Sequence, residues 1–250
     1  MTEEPLKCHR TMTEIDWQTT TTGAFDLLRY IRTRTTSRKL QLLMCAACRL
    51  ILDQLPAERA LPILTGLEHY AEGEVPLETL RQVTTAAQRL ERETDGDDPS
   101  TPGYLAIKAL RSAVSSPLDA ALHRVIENVE AVAARDAGEG LGRAARGKRH
   151  GEICDLFREI IGNPFAPRTA VPTWMQSTER AAPGWLIRVS ETARRVAEAI
   201  HREQAYDRFP ILADALEEEG CTDDELLLHL RLPGSHVRGC WALDLVLGKN

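Results

Sequence analysis

The apolar positions of this chain recur at helical spacing, run after run, and each run is cut by proline or glycine. Alternation of Val, Ile and Thr over strand-length windows is scarce, and aromatic residues make up only 5% of the chain. Ala, Leu, Glu and Arg are abundant instead, and these side chains lose little freedom in a helix. The expected fold class is all-α, an irregular helical bundle or a stack of helix pairs. A regular solenoid is less in keeping with the sequence, which has no repeat of fixed period.

The punctuation divides the chain. Residues 1–11 lack periodicity and are expected to form a loose N-terminal extension. Residues 12–136 form an N-terminal helical region, with helices expected over 24–33, 37–55, 57–72, 76–93, 104–115 and 117–136, and with 94–103 as an exposed linker. Residues 137–151 hold five glycines among Arg143, Arg146, Lys148, Arg149 and His150, which predicts a mobile basic loop. Residues 152–250 form a C-terminal helical region packed on the first as one composite domain. Its helices are expected over 152–161, 182–203, 209–219, 223–231 and 235–247.

Composition narrows the function classes. With 43% hydrophobic and 27% charged residues the chain is ordinary for a globular protein. No apolar run approaches the roughly 18 residues of a membrane span, and no apolar segment follows a basic amino end, so a cytoplasmic protein without a membrane partner is expected. Six cysteines in 250 residues fit reduced thiols, with no structural disulfides. A formal charge of -6 argues against unspecific binding to nucleic acid. No P-loop, GxGxxG, HExxH or GxSxG is present, which removes the commoner nucleotide-dependent, zinc-protease and serine-hydrolase chemistries from the foreground.

The last fifty residues stand apart from this background. Asp207-Arg-Phe-Pro-Ile-Leu-Ala-Asp-Ala-Leu216, Gly220-Cys221 and His236-Val-Arg-Gly-Cys-Trp241 concentrate His, Cys, Arg and Trp in a short unit. Together with Gly162-Asn-Pro-Phe165 and Arg38-Lys-Leu-Gln-Leu-Leu-Met-Cys-Ala-Ala-Cys-Arg49, they make the chain resemble a family of planctomycete bacterial proteins that has no established activity. The resemblance covers most of the chain, supports the helical fold and brings no function with it. The chain departs from the family at Ala47 and Leu230, where members often carry further cysteines.

Three groups of residues are candidates for chemistry. Cys45 and Cys48 share a helix face at i, i+3 and, with Cys221, His236 and Cys240, make up a possible zinc set; the competing reading is that the thiols pack as small hydrophobes. His236 and Cys240, at i, i+4 on the expected last helix, also invite reading as a base and its nucleophile, although no orienting acid or oxyanion hole is evident. Arg238, on the opposite side of that helix, is expected to pair with Asp207 or Asp214. Asp207, Arg208, Arg238 and Trp241 are candidate binding residues, as are Trp174 and Trp185, which flank a loop as exposed anchors or as lids over the core. Arg143, Arg146, Lys148 and Arg149 are candidate phosphate contacts.

With no assembled catalytic set, the expected function is a non-catalytic interaction or adaptor module with a protein partner and no cofactor. The alternative is a metal- or thiol-dependent enzyme built on the Cys/His residues, with zinc as the metal. Nucleic-acid binding through the basic segment comes third.

Overall fold

The structure, a computed structural model, describes residues 11–94, 96–166 and 191–249. Helices account for most of these residues, and no strand occurs among them. The first core gathers around α3 (Ser37–Arg49), in which every residue from Lys39 to Cys48 is buried. A helix apolar on nearly all sides must be surrounded, and α4 (Ala57–Ala71), α6 (Pro102–Ala113), α7 (Leu118–Asp136) and α8 (Gly142–Ile161) all pack against it. Its two buried polar side chains, Lys39 and Gln41, do not go unsatisfied. Gln41 donates to the carbonyl of Ala113 at the end of α6, 2.9 Å away.

Further helices pack on this core. α1 (Glu14–Thr19) starts with a capping box between Thr13 and Asp16 and buries Trp17. α2 (Ala24–Ile31) has Gly23 at its N-cap, so no side chain caps it locally. Instead His150 of α8 accepts the Ala24 N–H at 2.9 Å. α5 (Leu77–Arg92) pairs with α4 and lays Val83, Ala87 and Leu90 inward.

A second, smaller core is built from α9 (Glu191–Glu203), α10 (Phe209–Glu218), α11 (Asp224–Arg231) and α12 (Trp241–Leu247). Asp223 caps α11 by accepting the Leu226 N–H at 3.0 Å. Phe209, at the first position of α10, is buried in this core.

Two expectations are corrected. Residues 137–151 are not one loop: only 137–141 form a turn, and α8 begins at Gly142. Glycines inside a helix cost about 1 kcal/mol each, but here long-range contacts outweigh local propensity. Arg149 donates to the Leu50 carbonyl at 2.7 Å, Arg146 pairs with Glu130 at 3.2 Å, and His150 pairs with the buried Glu130. Gly142 serves the α7–α8 hairpin directly: a Cβ there would lie 2.6 Å from the Ala134 carbonyl oxygen.

The last helix also starts later than expected, at Trp241 rather than 235. Gly239 adopts a φ of +89, in the left-handed region, and breaks any helix that begins at Ser235. A Cβ at this position would stand 2.7 Å from Leu42 Cδ1, so the tight approach is to a buried side chain of α3. His236 and Cys240 therefore lie on an irregular turn, and their i, i+4 helical relationship does not exist.

Candidate metal centre

That turn nevertheless brings His236 and Cys240 together with two residues from other elements. Glu159 projects from the last turns of α8, and His229 from α11. The end of α8 is held firmly in place, because the Trp17 indole donates to the Gly162 carbonyl at 2.9 Å and Arg158 donates to the Trp17 carbonyl at 2.9 Å.

The four side chains converge. His229 Nε2 is 3.2 Å from Cys240 Sγ and 3.3 Å from one Glu159 oxygen, while His236 Nδ1 is 3.1 Å from the other. One donor atom from each residue lies within 4.8 Å of all the others. The cluster is largely shielded from water: Cys240 is fully buried, and the Glu159 and His236 side chains are only 11% and 8% exposed.

The geometry separates two chemistries. A thiol–imidazole–carboxylate relay uses the two ring nitrogens for two different partners. Here a single nitrogen of His229 faces both the thiol and the carboxylate, so the ligand-type atoms crowd one centre. The thiol is also kept protonated. Burial, and then the charge of Glu159, pushes Cys240 well above its ordinary value, which is the opposite of what a nucleophile requires. Burial opposes ionisation of Glu159 as well, but hydrogen bonds from His229 and His236 outweigh it and hold the carboxyl down at about 2.

A cleft of about 350 Å³ opens on Glu159 and His229 and is bordered by Trp17, Asp155, Arg158 and Trp241. The Trp241 ring is nearly buried and leans on His229, with ring centroids 4.9 Å apart. It thus forms one wall of the cluster.

A second group of ligand-type residues, Glu72, Glu74 and His201, is already supplied with cations. Lys249 Nζ lies 2.8 Å from Glu72 and 2.7 Å from His201, Arg38 donates to Glu72 at 2.7 Å, and Arg238 approaches Glu74 at 3.5 Å. The protein's own ammonium and guanidinium groups take the place a metal would need. Arg238 consequently belongs to this network and does not pair with Asp207 or Asp214; Asp214 pairs with Arg231 at 2.9 Å.

The remaining sequence candidates fall elsewhere. Cys45 and Cys48 are fully buried in the first core, where burial pushes the Cys48 thiol up to about 12 and raises Cys45 as well. Cys221 packs in the second core. None of the three is a member of the cluster, and all of the described cysteines are free thiols. Asp207 and Arg208 are exposed, and Arg208 pairs with Glu203 at 2.7 Å. Arg143 and Lys148 are exposed on α8, and Arg146 and Arg149 are engaged as described above. Trp174 and Trp185 lie outside the described residues.

Sequence reasoning missed Glu159 and His229. His229 had a signal: it precedes His236 by seven positions and Cys240 by eleven, so three ligand-type side chains crowd one short segment. Glu159 had none, being one acid among the charged and apolar residues of an amphipathic helix. No family model matches the chain, and no curated protein or solved structure is significantly similar to it.

Proposed function

We propose that this protein is a metal-braced helical interaction module, in which one zinc-class ion bound by Glu159, His229, His236 and Cys240 fastens the C-terminal helices to the N-terminal core. The observation that carries this reading is the shared focus of His229 Nε2, with Cys240 Sγ 3.2 Å away and a Glu159 oxygen 3.3 Å away. Zinc bonds of about 2.0–2.1 Å to nitrogen and about 2.3 Å to sulfur place tetrahedral ligands about 3.3 to 3.6 Å apart, close to this spacing. Nitrogen and sulfur donors favour zinc over calcium or magnesium, which prefer oxygen. The carboxylate and a Cys240 thiolate would balance the charge of a divalent ion, with the thiol proton leaving as the metal enters.

Four protein ligands complete a tetrahedron and leave no position for a substrate, which is why the reading is non-catalytic. The cleft beside Glu159 and His229 favours a second reading, a metal-dependent enzyme whose ion gains an open position when Glu159 moves away. Metal analysis and a cobalt(II) spectrum test both. One equivalent of zinc, replaceable by cobalt with the intense bands of four-coordinate geometry and a thiolate charge-transfer band, fits the structural brace. Cobalt bands that shift on addition of azide or cyanide would reveal an exchangeable ligand position and favour the enzyme. A purified protein that binds neither ion would refute both.

A further inference from the structure

We infer that Lys39 is the positioning residue of this centre, which presupposes the metal reading above. Its ammonium donates to the carbonyl of Ile160 at 2.9 Å and to the carbonyl of Gly239 at 2.8 Å, and it also meets the Asp244 carboxylate. Ile160 directly follows the ligand Glu159, and Gly239 directly precedes the ligand Cys240. One nitrogen thus holds the backbone beside two donors that reach the centre from different cores. An ammonium carries three donors and no acceptor, and here each N–H has a partner.

A second contact from the same face of α3 acts on the same turn. Leu42, three residues after Lys39, packs so closely on Gly239 that no Cβ fits between them. The turn carrying Cys240 is therefore clamped to α3 at two points, one polar and one apolar. Metal ligands that must come together from separate elements depend on such outer contacts for their orientation. Asp244 does not depend on Lys39 alone, because Arg38 also reaches its two oxygens, at 2.7 and 2.8 Å. Removing the ammonium therefore leaves no unpaired carboxylate in the core.

The test is Lys39→Met in the full chain, with zinc affinity measured by competition against a chromophoric chelator and the cobalt(II) spectrum recorded at saturation. The expected result is a zinc affinity about 10- to 100-fold weaker than wild type, with the saturated cobalt bands shifted. A residue that only stabilises the fold would lower the denaturation midpoint but leave the saturated spectrum and the affinity of the folded protein unchanged, and that outcome overturns the inference. Wild-type protein that binds neither ion refutes the metal centre itself, before any variant is compared. Should the methionine variant not fold, Lys39→Arg keeps a charge beside Asp244, yet its planar fork cannot offer one nitrogen to three acceptors. Weaker binding with a shifted spectrum in that variant supports the inference, and wild-type affinity with a wild-type spectrum overturns it.

Discussion

Glu159 offers a quantitative test that needs no metal. In the chelated protein its carboxyl titrates at about 2 rather than the ordinary 4.5, because the hydrogen bonds and charges of His229 and His236 outweigh the cost of burying it. A carboxyl whose folded pKa is depressed stabilises the fold fully above its unfolded value and loses that contribution as pH falls toward the folded one. The window is thus pH 4.5 down to about 2. At about 1.4 kcal/mol per unit, the interaction contributes about 3 kcal/mol at pH 6 and about 1 kcal/mol at pH 3. Glu159→Gln cannot ionise, so the stability gap between wild type and variant should narrow by about 2 kcal/mol between those two pH values. Urea unfolding of chelator-treated proteins, followed by circular dichroism, measures the gap. Stability profiles that run parallel from pH 6 to pH 3 would show that Glu159 is not held by the two imidazoles.

Three further outcomes are expected. Trp241→Ala removes a nearly buried ring from the second core and should cost about 3 to 5 kcal/mol in denaturant unfolding, whereas Cys240→Ala in metal-free protein should cost far less. Gly239→Ala forces a side chain into a backbone conformation of φ +89 and against Leu42, for about 2 to 4 kcal/mol of destabilisation; a smaller loss than 1 kcal/mol would mean that the turn can move off α3. Cys45→Ala and Cys48→Ala should keep full metal content, and Cys240→Ala should lose it, by elemental analysis of the purified proteins.

The helices were legible because their signals are local. Pro56, Pro76, the Pro102-Gly103 pair and Pro210 stand where helices begin, and the helix expected over 37–55 is present, although it ends at Arg49. The failures share a cause. Gly147 and Gly151 are helical because Arg146, Arg149 and His150 find partners far away in sequence, which no local propensity reports. Ser235 followed by His, Val and Arg has the pattern of a capped helix, yet Gly239 is bent around Leu42, nearly two hundred residues earlier. The site shows the same division. His236 and Cys240 were recognisable by residue type, although not through a helical spacing that the turn abolishes. Glu159 joins them only because α8 ends beside α11, a fact of tertiary packing. Cys45, Cys48 and Cys221 were plausible ligands by type and are core residues by position.

The convergence of Glu159 and His229 also has a topological consequence, since 70 positions of chain separate them. A bond between two such points removes conformations from the unfolded chain, as a disulfide does, and in the loop-closure model a loop of this length is worth about 4 kcal/mol at 25 °C. An ion shared by these side chains would act as a reversible cross-link of that order. Unlike a disulfide it needs no oxidant, so it can staple the ends of a long loop in a reducing compartment and be withdrawn by any stronger chelator.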